Sequence, residues 1–220
     1  MTERLDAVVL ETGPEPDACI LWLHGLGADG YDFEPIAYEL RLPGAIRYVF
    51  PHAPTRPVTI NGGMEMRAWY DIFSPDLQGQ VDETGIDDSR DLIDVLIDDQ
   101  IAAGIDPGRI VLAGFSQGGV IALETGVRRH PSVAGIVALS TYVALPGALP
   151  EVGGDAFPPI LMMHGSQDTV VPLPVAERSR LQLVRKGYPV EWHVFSMPHS
   201  VCAEEIAILR RWLSARLGYA

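Results

Sequence analysis

One short segment carries a serine in the setting that a nucleophile requires. Residues 114–118 read Gly-Phe-Ser-Gln-Gly, with an apolar, strand-like run before them and an apolar helical pattern after them. Glycines on both sides of a strand-to-helix turn let the two backbones come close, because they have no Cβ. We therefore predict that Ser116 lies on a strained turn at the carboxyl edge of a sheet and acts as a nucleophile.

A serine hydroxyl needs a base to accept its proton, and the base needs an acidic partner to hold its tautomer. Two residues further along the chain meet these needs. Asp168 lies in the loop just after one apolar run, and His199 follows another and precedes a helical pattern. If both runs are strands of the sheet that carries Ser116, all three side chains meet at one rim. The sequence thus predicts a Ser116–Asp168–His199 triad.

The negative charge that develops on a carbonyl under attack needs hydrogen-bond donors. Residues 24–27, His-Gly-Leu-Gly, end a strand-like run in a glycine-rich turn that can aim a backbone N–H at this charge. We assign the oxyanion hole to the backbone amides of Leu26 and Gln117. His24 is expected to orient this turn through hydrogen bonds.

Competing assignments are weaker. Asp106 is typical of a turn, and Asp155 precedes a strand where an acid should follow one. His164 is interpreted as structural support for Asp168. No histidine pair has ligand spacing with a carboxylate nearby, so we predict no metal site and no cofactor. The remaining histidines, interpreted as surface or loop residues, are His52, His130 and His193.

The elements that position these residues alternate along the chain. The clearest helix runs from Ile86 to Gly104, with isoleucine and leucine on one side and a solvated aspartate face on the other. Alternating strands and helices predict a mostly parallel sheet covered on both faces, which is an α/β fold. The predicted strands are 5–10, 18–23, 46–50, 109–113, 135–139, 160–163 and 190–195, and the other helices are 32–41, 117–129, 173–186 and 203–217.

Two stretches interrupt the alternation. Residues 51–80 have turn-forming residues at both ends of an apolar centre, and residues 142–159 are rich in proline and glycine. We predict both as excursions at the sheet rim, the first of them flanking the active site. We find no internal repeat or linker, and a length of 220 residues suits a single domain over 1–220.

Charge and composition exclude several classes of partner. The formal net charge of −13 leaves few cations to neutralise phosphates, so we expect no nucleic-acid partner. No apolar run approaches the roughly 18 residues of a membrane span, so no integral membrane association is expected. Two cysteines, Cys19 and Cys202, cannot form a disulfide framework, and without a signal-peptide pattern we expect a cytoplasmic protein. Apolar residues in the 51–80 excursion leave a homodimer open.

Six motifs occur in an order and spacing typical of one family. They are LHGLGADG at 23–30, FPHAP at 50–54, MRAWYDI at 66–72, LAGFSQGG at 112–119, HGSQDTVVP at 164–172 and HSVCAEEI at 199–206. Through them, nearly the whole chain resembles the phospholipase/carboxylesterase family of small α/β-hydrolases, which includes acyl-protein thioesterases. The resemblance implies an α/β-hydrolase fold without a large lid domain, and it implies the same triad and oxyanion amides.

The resemblance also implies a hydrophobic substrate groove beside Ser116, formed in part by the 51–80 segment. We assign Trp69, Phe73 and Val170 to this groove, although Trp69 and its aromatic neighbours could instead anchor the loop in the core. One departure from the family pattern is Pro198, which stands where glycine usually precedes the histidine. Because proline fixes its own φ, we expect a stiffer or differently routed loop before His199.

These observations predict a serine carboxylic-ester hydrolase, a carboxylesterase that forms an acyl-enzyme. The resemblance implies short- to medium-chain acyl esters as its substrates. Its expected partner is a small-molecule ester. The resemblance keeps an acyl-protein thioesterase or a lysophospholipase as alternatives, and transfer of the acyl group to an acceptor other than water is a third; a peptidase is less favoured. From a different class, the alternative is a non-catalytic binding protein on a hydrolase scaffold, which would normally have a damaged triad.

Overall fold

A seven-stranded sheet forms the centre of the computed structural model, which describes residues 4–75, 77, 79–151 and 157–219. Asp155, one of the rival acids, lies outside these residues. The sheet order is β1-β3-β2-β6-β7-β8-β9, and every pairing is parallel except β1 with β3. The strands are β1 Ala7–Glu11, β2 Ala18–Leu23, β3 Ile46–Pro51, β4 Thr55–Val58, β5 Met64–Arg67, β6 Ile110–Phe115, β7 Gly135–Leu139, β8 Ile160–Gly165 and β9 Val190–Phe195.

Helices cover both faces of this sheet. They are α1 Glu34–Leu40, α2 Glu83–Ala102, α3 Gln117–Gly126, α4 Leu173–Arg185 and α5 Ala203–Arg216. In β2, Cys19, Leu21 and Leu23 point into the core beneath α2, α3 and α4, while Ala18, Ile20 and Trp22 point into the core beneath α1 and α5. Because strand side chains alternate between faces, one wholly apolar strand supplies both cores. The predicted α/β class, with a mostly parallel sheet covered on both faces, is confirmed.

The 51–80 excursion contains an element that the sequence analysis did not predict. Strands β4 and β5 pair antiparallel as a hairpin outside the main sheet, with a 3₁₀ turn between them. Pro57 lies within β4, and a proline argues against a strand except at a sheet edge. Gly62 and Gly63 have φ values of +69° and +79°, so the connecting turn uses the left-handed conformation that glycine permits.

The aspartate face of α2 is less solvated than predicted. Asp94 lies 3.0 Å from the guanidinium of Arg129, just beyond the end of α3, and Asp98 contacts the same guanidinium. These ion pairs join α2 to the region after α3, while Asp91 is exposed as expected. Among the described residues, we find no helix both long enough and apolar enough to cross a bilayer.

Candidate active site

Ser116 lies at the turn between β6 and α3, in a conformation that side-chain-bearing residues rarely adopt. Its φ and ψ are 54° and −119°, outside the favoured regions for L-residues. The backbone N–H of Ser116 donates to the Leu139 carbonyl at 2.9 Å, and its carbonyl accepts from Thr141 Oγ1 at 2.7 Å. Strand β7 and the residues after it therefore hold the strained turn in place.

The two flanking glycines are required by close backbone approaches. A Cβ at Gly114 would lie 2.3 Å from the Gly118 carbonyl oxygen, and a Cβ at Gly118 would lie 2.4 Å from that of Leu23. Neither backbone can move without displacing a buried strand end. The close backbone approach that the sequence analysis predicted at the Ser116 turn is therefore present in the folded chain.

Asp168 and His199 come into direct contact at the same rim. The Nδ1 of His199 lies 2.7 Å from Oδ2 of Asp168. The other carboxylate oxygen accepts backbone N–H groups of Val170 at 2.9 Å and Val171 at 2.8 Å, and the carboxylate is fully buried. With Nδ1–H donating to this fixed acceptor, Nε2 of His199 is left as the acceptor that a general base requires.

The imidazole of His199 packs beside the nucleophile turn. Its ring centroid lies 4.7 Å from that of Phe115, the residue immediately before Ser116. Ser116 is partly exposed and lines a cavity, and its hydroxyl has no hydrogen-bond partner within the described ranges. Among the described residues, Ser116 and His199 therefore lie at one rim without a hydrogen bond between them.

The loop before His199 packs against the loop that carries Asp168. Gln167 N–H donates to the Met197 carbonyl at 3.0 Å, and Ser200 N–H donates to the Pro198 carbonyl at 2.9 Å. Met197 is buried. With a proline at position 198, the loop thus still brings His199 into contact with Asp168.

His164 supports the Asp168 loop from beneath. Its ring is buried, and Nε2 lies 2.8 Å from the Val171 carbonyl and 3.4 Å from Asp168 Oδ2. Burial lowers its pKa, so the ring is neutral near pH 7 and donates from Nε2 to the carbonyl. Because His164 is neutral, it forms no ion pair with Asp168, and the negative charge of this carboxylate is available to His199.

The two predicted oxyanion donors lie on one wall. Leu26 and Gln117 line the same cavity as Ser116. For the part of the chain that the structure describes, neither backbone N–H has a hydrogen-bond partner. Gln117 is the first residue of α3, where the helix dipole favours negative charge. The geometry therefore offers two unpaired donors next to the nucleophile.

The turn that carries Leu26 is held by a buried histidine and its neighbours. Nε2 of His24 accepts from Ala53 N–H at 3.1 Å, and Nδ1 lies 2.7 Å from the Gly25 carbonyl. Burial lowers the pKa of His24, so the neutral ring donates from Nδ1 only. Gly27, with φ of +77°, donates to the Arg67 carbonyl at 2.9 Å. His24 thus orients the turn, as the sequence predicted.

Trp69 does not line the groove, which corrects its assignment. Its side chain is fully buried, and Nε1 donates to the His24 carbonyl at 2.9 Å. Its backbone N–H donates at 2.9 Å to the side-chain oxygen of Gln117, whose Nε2 donates at 2.7 Å to the Tyr70 carbonyl. Trp69 therefore anchors the excursion in the core, which sequence reasoning held only as an alternative.

The cavity at Ser116 has a volume of about 210 Å³. Val170 lines it, whereas Phe73 lines two neighbouring cavities, so the assignment of Phe73 to the groove stays a prediction. The sequence analysis missed Tyr142, whose only signal was an aromatic at the start of a proline- and glycine-rich stretch. The other wall residues it did not assign are Ile60, Tyr70, Ile72, Pro75, Leu77, Thr169 and Val171.

A family model described as Phospholipase/Carboxylesterase matches residues 5–217. The chain is 36% identical over 213 residues to acyl-protein thioesterase 1 of Neurospora crassa, covering 91% of this chain and 87% of that one. The crystal structure of SOBER1 from Arabidopsis thaliana matches with a TM-score of 0.83 at 29% identity, covering 91% of this chain and 99% of that chain. Acyl-protein thioesterase 2 of Zea mays matches with a TM-score of 0.82 at 26% identity, covering 97% and 100%.

Proposed function

This chain belongs to the phospholipase/carboxylesterase family, and we propose that it is a serine hydrolase that cleaves short- to medium-chain acyl esters through an acyl-enzyme. One observation carries the proposal. The Asp168–His199 pair, joined at 2.7 Å, lies at the rim where Ser116 faces a cavity with two unpaired amides. Nucleophile, oriented base and oxyanion donors are the parts that acyl transfer needs.

The reaction has two halves. Nε2 of His199 takes the proton of Ser116 as Oγ attacks the carbonyl carbon, and the amides of Leu26 and Gln117 hold the oxygen that becomes negative. Asp168 stabilises the imidazolium. The carbon–oxygen bond to the alcohol then breaks, and the alcohol leaves with the proton from His199. In the second half, His199 takes a proton from water, the hydroxide attacks the acyl-enzyme, and Ser116 regains its proton as the acid departs.

The walls of the cavity support an alkyl acyl group as the substrate portion. Ile60, Ile72, Leu77 and Val170 contribute apolar surface, which gains on the order of 25 cal/mol for each Å² removed from water. The volume of about 210 Å³ lies below the usual range of pockets for drug-sized ligands, which favours short chains.

Thioester hydrolysis is the second candidate, since the relative from Neurospora crassa carries the name acyl-protein thioesterase 1. The same five groups serve this reaction, because a thiol replaces the alcohol as the leaving group without a change in the attack on the carbonyl. Comparing kcat/KM for a butyryl ester and a butyryl thioester separates the two.

Labelling with a fluorophosphonate tests the nucleophile. The wild-type protein is expected to take up the label and to hydrolyse p-nitrophenyl butyrate, and Ser116→Ala is expected to do neither. Ser132→Ala, which changes a loop serine whose hydroxyl donates to the Val133 carbonyl, is the matched control and should match wild type. Full labelling or full activity in Ser116→Ala would assign the nucleophile elsewhere.

A further inference from the structure

Two tyrosines line the cavity at Ser116. We infer that Tyr70 and Tyr142 form a partition at its inner end that limits the length of the acyl chain, an inference that rests on the proposed function. Their hydroxyl oxygens lie 3.0 Å apart. Tyr70 belongs to the 51–80 excursion and Tyr142 to the segment after β7, so this hydrogen bond joins two rim segments that line the same cavity.

Both tyrosines are buried, with exposed fractions of 2% for Tyr70 and 8% for Tyr142. Burial raises the pKa of both hydroxyls, so both stay protonated and one donates to the other throughout the neutral range. The bond between them is therefore present at every pH at which the enzyme would work.

The backbone on either side of each tyrosine is tied down. The Tyr70 carbonyl accepts from Nε2 of Gln117 at 2.7 Å. Next to Tyr142, Thr141 Oγ1 donates to the Ser116 carbonyl at 2.7 Å, and Val143 N–H donates to Ser179 Oγ at 2.9 Å. Because opening the partition would break buried hydrogen bonds, the two rings form a fixed wall.

Space continues beyond this wall. Tyr70, Ile72, Leu77 and Tyr142 line the catalytic cavity and also a smaller one of about 20 Å³. The smaller cavity shares Phe73, Gln80 and Val81 with an open basin of about 730 Å³, which reaches Ala144–Ala148. The partition thus separates the reacting serine from a large basin that a longer chain would enter if the wall were removed.

The volume sets the length at which the partition acts. The cavity, at about 210 Å³, is smaller than the usual pocket for a drug-sized ligand. Part of this space must hold the carbonyl group, because Ser116, Leu26 and Gln117 line the same cavity. We therefore expect activity to fall between the butyryl and the dodecanoyl ester.

The test uses p-nitrophenyl esters with acyl groups from acetyl to dodecanoyl. Tyr142→Ala removes the ring, and Tyr142→Phe is the matched control that loses only the hydroxyl. For Tyr142→Ala we expect the ratio of kcat/KM for the dodecanoyl ester to that for the butyryl ester to rise about tenfold or more. For Tyr142→Phe the ratio should stay within about threefold of wild type, because the ring still blocks the path.

An unchanged ratio in Tyr142→Ala would overturn the partition. If that variant does not fold, as judged by circular dichroism, Tyr142→Leu takes its place under the same thresholds. A second series keeps the butyryl group and lengthens the alcohol; a shift in that series alone would also overturn the inference. Hydrolysis that persists in Ser116→Ala contradicts the proposed function, whereas its loss there with an unchanged Tyr142→Ala ratio contradicts the partition only.

Discussion

Gln117 accepts a hydrogen bond on its side-chain oxygen from the backbone N–H of Trp69, at 2.9 Å. The contact joins the first residue of the helix after the nucleophile to a fully buried residue of the 51–80 excursion. Trp69 in turn donates from its indole to the carbonyl of His24, two residues before Leu26. The segments that carry the two oxyanion amides are thus linked through one buried tryptophan.

Replacing Gln117 by methionine tests this link. The change keeps the backbone amide and most of the side-chain volume but leaves Trp69 N–H and the Tyr70 carbonyl without their partner, at about 1–3 kcal/mol for each buried group. We expect a lower urea midpoint and a KM for p-nitrophenyl butyrate raised several-fold. Gln182→Met, on α4 and outside the cavity wall, is the control. Wild-type stability and KM in Gln117→Met would contradict the link.

Asp168→Asn tests the acid partner of His199. An amide can turn its NH₂ toward Nδ1 and so favour the tautomer that cannot accept the Ser116 proton. We expect kcat to fall by a factor on the order of 10⁴, with the circular dichroism spectrum retained. Asp106→Asn is the control, because Asp106 accepts from Gly108 N–H in a turn outside the cavity, and its kcat should equal that of wild type. A loss of less than about tenfold in Asp168→Asn would assign the role to another carboxylate.

Gly118→Ala tests the close approach at the nucleophile turn. The added Cβ would lie 2.4 Å from the Leu23 carbonyl oxygen and 2.5 Å from that of His24. The turn must shift, so we expect a stability loss of about 1–3 kcal/mol and a kcat reduced by a factor on the order of 10². Gly147→Ala, where a Cβ meets nothing within 4 Å, should change neither quantity. Equal behaviour of the two variants would mean that the turn tolerates a side chain.

Glu205 makes stability depend on pH. The residue lies in the first turn of α5, just after the His199 loop, and its side chain is buried. Its Oε2 accepts from Cys202 N–H at 3.2 Å, while its Oε1 has no partner among the described residues. Burial raises the pKa of this carboxyl from 4.5 to about 7. Between pH 4.5 and about 7, the Glu205 carboxyl holds a proton in the native state that it has lost in the unfolded state. The contribution of this carboxyl to stability is therefore full below pH 4.5 and is lost as pH rises through about 7.

Glu205→Gln removes this dependence. The free energy of unfolding of the variant minus that of wild type should be larger at pH 8 than at pH 5. This difference is measured as the shift in urea midpoint at each pH. The lowered pKa values of His24 and His164 make stability rise with pH, which is the opposite direction. Both histidines are present in the variant and in wild type, so their effect cancels in the difference between the two proteins. Glu204→Gln, at the exposed neighbouring position, controls for charge. An identical difference at both pH values would contradict the prediction.

Several features follow from residues close together in sequence. The Ser116 turn depends on glycines two positions away, and the β2 strand depends on an uninterrupted apolar run. The β4–β5 hairpin was missed because Pro57 argues against a strand, and its partner strand carries exposed Met64. The assignment of Trp69 to the groove was wrong because its partners, His24 and Gln117, are more than 40 positions away in sequence.

By itself, the sequence determined which residues carry reactive groups and that strand ends would present them, since periodicity and glycine spacing act locally. The sequence also favoured Asp168 over its rivals, but only the tertiary structure brings its carboxylate into contact with the imidazole of His199. Asp168 reaches His199 because β8 and β9 are neighbouring strands, while Asp106 is engaged in its own turn. The tertiary structure also decided that Tyr70 and Tyr142, from separate segments, line one cavity, because burial and contact depend on what the rest of the chain packs against each side chain.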